Sequence, residues 1–160
     1  MTTPSKVMIK DSPIHGKGMF ATSDIANQER VIEYVGDILS NNEGDERAII
    51  TEKNADHKFK GAVYLFEINE DFVLDGNVDW NPARFINHSC NPNCETGFEG
   101  ERIFIFAIKD INKDEELSYD YSYEITNDYK DHPCFCQSEN CVGYILNDEE
   151  KEKLRNKENI

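Results

Sequence analysis

No stretch of this chain comes near the ~20 consecutive apolar residues needed to cross a bilayer, which argues against a helical membrane span. Its opening residues, Met1-Thr2-Thr3-Pro4-Ser5-Lys6, lack the apolar core of a secretory signal, so the expected place of synthesis is the cytoplasm. Basic residues are scarce: 17 Lys and Arg stand against 32 Asp and Glu, a net charge of -15. A surface of that sign repels phosphate backbones and argues against direct nucleic-acid binding. It draws basic segments toward it, although the same charge also serves solubility alone. Cysteine is absent before residue 90, and the five that follow are an odd number, which speaks against a disulfide framework. Repeats and low-complexity tracts are missing too. A length of 160 residues suits one domain with a real core, expected to be a monomer.

What is present reads mainly as β-structure. Val7–Lys10, Val31–Val35, Val63–Ile68, Phe72–Leu74 and Ile103–Ala107 are short runs of β-branched and aromatic residues, the last of them apolar enough for a central strand. Asn69-Glu70-Asp71, Asn81-Pro82 and the glycines at 97 and 100 mark turns. The polar stretch Asn41–Lys60 is either a long surface loop or holds a short helix around Asp45–Thr51. Near the C-terminus, Asn147 with Glu150 three residues on makes a capping box. The helix it starts carries acids first and bases last, and with little apolar face beyond Leu154 it is expected to be solvated or frayed.

Several short segments carry chemistry. His15-Gly16-Lys17-Gly18 lets the backbone bend closely around something, and by itself that pair of glycines is a turn more often than a ligand loop. Tyr64 begins a strand, where an aromatic usually packs. Asn87-His88-Ser89-Cys90 offers an amide and an imidazole where a plain turn would need neither. In Glu116-Leu117-Ser118-Tyr119-Asp120-Tyr121, the two phenols stand two residues apart, on one side of an extended strand. Cys134, Cys136 and Cys141 place three thiols within eight residues, and residues two apart do not readily bridge each other. Zinc takes four ligands, so a fourth thiolate must come from elsewhere, with Cys90 and Cys94 both open to that role; free structural thiols are the alternative.

In this order, these motifs resemble the catalytic half of SET-domain protein-lysine methyltransferases and their post-SET zinc motif, over about Lys6 to Ile145. The resemblance implies a mainly β fold of small sheets with a knot-like C-terminal crossing and few short helices. It divides the chain into a SET domain at 1–130, a post-SET zinc clasp at 131–146 and a charged helical tail at 147–160. It implies S-adenosylmethionine as cofactor, bound by His15, Lys17, Gly18, Tyr64, Asn87, His88 and Phe135, and zinc held by Cys90, Cys134, Cys136 and Cys141. Tyr121 becomes the catalytic residue, and Tyr119 the residue that sets how many methyls are added, with Tyr at that position going with mono-methylation. Arg84 keeps a structural role. The implied substrate is a lysine of a basic, histone-like protein segment, which would add chromatin or an exported location to the cytoplasmic one.

No cysteine-rich segment precedes the SET-like part, and the compact build resembles stand-alone SET proteins, bacterial ones included. Asp79-Trp80-Asn81-Pro82 and Val142 depart from the family pattern and leave the substrate open, a non-histone basic protein being the other choice. Two further readings compete: a SET-like peptide-binding module without catalysis, and a small zinc-stabilised interaction domain acting through its acidic face.

Overall fold

The computed structural model describes residues 6–54, 64–122 and 129–158. β1 (Val7–Asp11) and β2 (Lys17–Ala21) form an antiparallel hairpin, with Val7 opposite Ala21 and Asp11 opposite Lys17. β3 (Arg30–Tyr34), β8 (Cys94–Glu99) and β9 (Arg102–Ala107) make a three-stranded antiparallel sheet with β9 in the middle, as its apolar pattern anticipates. Ile103 and Ile105 of β9 are fully buried with Met19, Ile25, Ile86, Ile111 and Leu117, and this layer is the core. Removing one such isoleucine side chain to alanine would cost about 2–5 kcal/mol.

A second three-stranded sheet has β6 (Phe72–Asp75) between β4 (Asp37–Ser40) and β5 (Leu65–Glu67). The expected strand from residue 63 is thus shorter, and Val63 lies outside the described residues. Of the two turn glycines, Gly100 makes the β8–β9 turn at φ 65°, but Gly97 sits inside β8 opposite Phe104. A side chain at 97 would come within 2.9 Å of the Phe106 ring, so this glycine is there for room on the sheet face.

Between these strands, α1 (Asn41–Asn54) is a full 14-residue helix rather than the short helix or loop the polar sequence suggests. Ser40 and Glu43 form its capping box: the Ser40 amide donates to Glu43 Oε2 at 2.9 Å, and the Glu43 amide to Ser40 Oγ at 3.4 Å. Its anchor is polar. Arg47 donates to Asp37 Oδ2 at 3.2 Å and to Oδ2 of buried Asp75 at 3.0 Å.

The chain then turns through a 3-10 segment at Pro82–Phe85 into β7 (Asn87–His88). Residues 115–117 run beside β2, with Ala21 N–H donating to the Glu115 carbonyl and Leu117 N–H to the Met19 carbonyl. They lead into β10 (Ser118–Tyr119), which pairs parallel to β7, Ser118 beside Asn87 and Tyr119 beside His88. This is the crossing the resemblance implies, and with small sheets and two α-helices among the described residues the mainly β SET-type architecture is as expected.

α2 (Asp148–Glu158) starts on its expected cap, Asn147 Oδ1 accepting from the Glu150 amide at 2.9 Å. Glu150 directs its carboxylate to Lys153 (2.8 Å), an i,i+3 bridge on the helix surface. The helix is not solvated all round, however: Lys151 is 1 % exposed, and the Arg155 guanidinium donates to the Asn140 carbonyl. Sequence alone misjudges this face because the residue that buries it is a lysine.

Candidate functional site

The site grows from the β7–β10 crossing, where residues far apart in sequence are forced side by side. Asn93 braces it from both ends, its amide nitrogen donating to the Glu116 carbonyl at 2.8 Å and its oxygen accepting the Ser118 N–H at 2.9 Å. Asn87 Nδ2 lies 3.0 Å from three acceptors, the carbonyls of His15 and Lys17 and Oε1 of Glu116. The 12–18 loop is thereby pinned onto β7. Glu116 Oε1 also accepts from Ser12 Oγ at 2.7 Å, and Ser12 Oγ in turn accepts from the amides of Ile14 and His15. Gly18 is required at its position, since a Cβ there would sit 2.3 Å from Glu116 Oε1. Lys17 sends its side chain away, Nζ to Asp11 Oδ1 at 2.6 Å, so at the site it contributes its backbone.

Tyr121 is held at both ends. Its hydroxyl donates to the Ile86 carbonyl at 2.6 Å, and its amide donates to His88 Nδ1 at 3.0 Å. An acceptor Nδ1 puts the proton of the neutral imidazole on Nε2, which faces Cys90 Sγ at 3.5 Å. Around Tyr121 runs a row of rings: Tyr34 to Phe66 at 4.7 Å, Phe66 to Tyr119 at 6.4 Å, Tyr119 to Tyr121 at 4.8 Å, and Tyr121 to His88 at 5.3 Å. A wall of this kind, apolar in bulk and negative on its faces, favours a cation that has lost its water.

Tyr64 is half-buried just before β5, its carbonyl accepting the Tyr34 hydroxyl at 3.2 Å. Burial pushes its phenol above the usual pKa, and the nearby Arg84 charge pulls it back. Arg84 stacks on Phe85 and reaches Asp79 and Asn77, which fits a structural role, yet its buried Nε has no acceptor among the described residues. A stranded donor beside a phenol is suited to a ligand rich in carboxylate or hydroxyl oxygens.

The thiols form the other half. Sγ of Cys90, Cys134, Cys136 and Cys141 all lie within 4.8 Å of one another. The Cys90–Cys134 separation of 3.9 Å is far too long for a disulfide and close to the ~3.8 Å edge of a tetrahedron with 2.3 Å metal–sulfur bonds. A hydrogen bond from the Cys134 thiol, with help from His88 and Lys151, lowers Cys90 to about 3, a thiolate at neutral pH. The same bond, with burial, raises Cys134. The loop closes on itself, Cys134 N–H donating to the Gly143 carbonyl and Ile145 N–H to the His132 carbonyl. Cys94 stands apart in β8 opposite Ala107, 1 % exposed, and burial pushes its thiol up to about 12. The donor set thus fits zinc, with Cys90 as fourth thiolate.

The structure brings the His15 and Lys17 carbonyls onto Asn87, Gly18 against Glu116, and Tyr119 and Tyr121 onto His88. Phe135 lies on the thiol loop with half of its surface exposed. Sequence reasoning missed Glu116 as the hub of the loop, Asn93 as the brace and Phe66 as part of the aromatic row. Glu116 and Asn93 both lie inside or beside the motifs, and a carboxylate next to a buried strand end was the available signal. Phe66 carried none.

The SET domain family matches residues 16–122, about two thirds of the chain. The chain is 43% identical over 138 residues to the H3 lysine-4 specific histone-lysine N-methyltransferase of Schizosaccharomyces pombe, covering 84% of this chain and 14% of that protein. It is 38% identical over 145 residues to histone-lysine N-methyltransferase trr of Drosophila melanogaster, covering 88% and 6%. Human histone-lysine N-methyltransferase 2D is 37% identical over 145 residues, covering 88% and 2%. The chain therefore spans only a small part of the length of these relatives.

Proposed function

Because the chain belongs to the SET-domain family, we propose that it transfers a methyl group from S-adenosylmethionine to a lysine side chain of a basic, histone-like protein segment. The observation that carries this reading is Tyr121, pinned by its hydroxyl to the Ile86 carbonyl at 2.6 Å and set 4.8 Å from the Tyr119 ring at the β7–β10 crossing. When bound, the cofactor supplies an electrophilic methyl on a positively charged sulfur. The stranded Arg84 donor beside Tyr64, the pinned 12–18 loop, Asn87, His88 and the exposed Phe135 ring have the chemistry to hold its acidic, hydroxylated and aromatic parts.

The remaining work belongs to the chain itself. A lysine ammonium has no lone pair and a reference pKa of ~10.4, so it must shed a proton. Burial among the rings strips the ammonium of water and the positive charge of the bound cofactor would repel it; together these outweigh the pull of the ring faces, so the proton leaves to solvent and no general base is required. Tyr121, with its hydroxyl and amide both tied down, aligns the reacting groups, and alignment is the larger part of such a displacement. The net charge of -15 steers a Lys- and Arg-rich segment to the site and disfavours nucleic acid. Chromatin is the matching place of action. No described helix is long and apolar enough to cross a membrane.

The finer assignments belong to the same proposal. Residues 1–130 act as the SET domain and 131–146 as a post-SET clasp in which one zinc joins Cys90 to Cys134, Cys136 and Cys141. The enzyme is a monomer, and Tyr119 limits it mainly to one methyl. The test is to incubate the protein with labelled cofactor and basic peptides, then locate the label by mass spectrometry. Label on lysine that vanishes in Tyr121→Phe is the expected result. Cofactor binding with no transfer to any basic protein of a host lysate would favour the peptide-binding module instead.

A further inference from the structure

Glu116 brings a half-buried carboxylate into the crossing, and its contacts there are neutral. Oε1 accepts from Ser12 Oγ at 2.7 Å and from Asn87 Nδ2 at 3.0 Å, and no described Lys, Arg or His side chain forms an ion pair with it. A carboxylate drawn out of water without a counter-charge is costly. The fold makes room for it even so: position 18 goes without a side chain, since a Cβ there would fall 2.3 Å from Oε1. A charge kept at that cost marks where the cation of a ligand belongs.

Asn87 carries the charge outward. Its nitrogen faces the His15 carbonyl, the Lys17 carbonyl and Glu116 Oε1, none of which can donate. The amide therefore has one orientation, with Oδ1 turned the other way, and nothing among the described residues donates to Oδ1. Asn87 is only 8 % exposed, so this acceptor has little water to serve it. An amide whose N–H is bonded to a carboxylate is polarised, and its oxygen accepts more strongly. A cation seated on Oδ1 would lie on the order of 6 Å from the carboxylate, close enough to gain what a neutral donor does not.

The residues proposed for the carboxylate, hydroxyls and adenine of S-adenosylmethionine leave its amino-acid ammonium without a partner. We propose that Glu116 is a positioning residue that makes the site select a cofactor bearing an amino group. Through the Asn87 amide, its carboxylate supplies the counter-charge for that ammonium. This rests on the cofactor reading above.

The test uses S-adenosylhomocysteine, whose ammonium is its only cation, and its deamino analogue, with the Kd of each measured by calorimetry. The parent should bind S-adenosylhomocysteine at least about tenfold more tightly than the analogue. Glu116→Gln keeps an acceptor oxygen and loses the charge, so the preference should shrink to about twofold. Its KM for S-adenosylmethionine should rise while kcat stays near the parent value. Glu115→Gln, which removes an exposed charge next in the chain, should keep the parent's preference. Ser12→Ala loosens the loop but leaves the charge, and should weaken both ligands alike.

A Glu116→Gln protein that keeps the parent's preference, or loses affinity for both ligands equally, overturns the proposal. If Glu116→Gln does not fold, the parent and Ser12→Ala decide: equal affinities in the parent, or a preference lost with the loop in Ser12→Ala, overturn it. A parent that binds neither ligand would remove the cofactor reading itself, and the proposal with it.

Discussion

Replacing Asn87 by aspartate should be worse than replacing it by alanine, and the difference should fade as the pH falls. The amide nitrogen of Asn87 faces three acceptors at 3.0 Å, two of them carbonyls and the third the Glu116 carboxylate. It has only two protons, so the group is saturated. Asn87→Ala removes about two net hydrogen bonds and leaves partly buried acceptors for water to reach, a loss of about 2–4 kcal/mol. Asn87→Asp brings a carboxylate to the same place. Two unit charges about 3 Å apart repel by ~5 kcal/mol at an effective dielectric of ~20. The pair escapes by binding one proton. For a carboxyl with a reference pKa of ~4.3, that costs about 4 kcal/mol at pH 7.5 and about 1 kcal/mol at pH 5.

The sign follows from linkage: an acid whose folded pKa is raised loses stability as pH rises above its unfolded pKa. Urea unfolding midpoints at pH 7.5 should therefore rank parent above Ala above Asp, with the Ala–Asp gap shrinking by about 3 kcal/mol at pH 5. The cofactor KM should rise in both variants because the 12–18 loop is released. An Asp variant as stable as the Ala variant at pH 7.5 would refute the view that Asn87 and Glu116 face each other as donor and acceptor.

Tyr121→Phe loses one hydrogen bond to Ile86 and should cost only about 1 kcal/mol of stability, while methyl transfer falls about 100-fold or more with cofactor binding still measurable; unchanged turnover would show that the ring merely packs. Cys90→Ser should lose the metal and Cys94→Ser keep one zinc per chain, read by metal analysis, and the buried Cys94 thiol, raised to about 12, should resist alkylation at pH 8 after the other four have reacted. If Tyr119, whose ring lies 4.8 Å from that of Tyr121, has the proposed role, Tyr119→Phe should move the product from mono- toward di- and trimethyl-lysine by mass spectrometry at long incubation; abundant trimethyl-lysine from the parent would refute that role.

The candidate site was legible in the sequence because its residues cluster in short motifs: Asn87 to Cys90, Glu116 to Tyr121, and the thiols from Cys134 to Cys141. The central position of Ile103–Ala107 was legible for a similar reason, an apolar run between turns. What escaped depends on partners distant in the chain. α1 has no clear apolar stripe; its hold is Arg47 on Asp75, 28 residues on. Lys17 turns its side chain to Asp11 and keeps its backbone at the site, and Gly97 looked like a turn until Phe106 explained its missing Cβ. A buried lysine on a charged terminal helix breaks the binary pattern outright, so Lys151 could not be foreseen from composition or period.

The parallel pairing of β7 and β10 has a kinetic meaning. Bringing Ser118 and Tyr119 beside Asn87 and His88 closes a loop of roughly 30 residues, an entropy cost of about 3 kcal/mol beyond a constant, for a ladder only two residues long on each strand. By contrast the β8–β9 hairpin closes over a two-residue turn and can form early. The crossing should then be among the last parts to assemble and the first to open. In native-state hydrogen exchange, the amides of Ser89 and Tyr121, which donate to Tyr119 and His88 across it, should exchange through small openings while those of β9 wait for global unfolding. Thermal or chemical stress would thus silence the protein before it melts, and a ligand seated at the crossing would slow that opening.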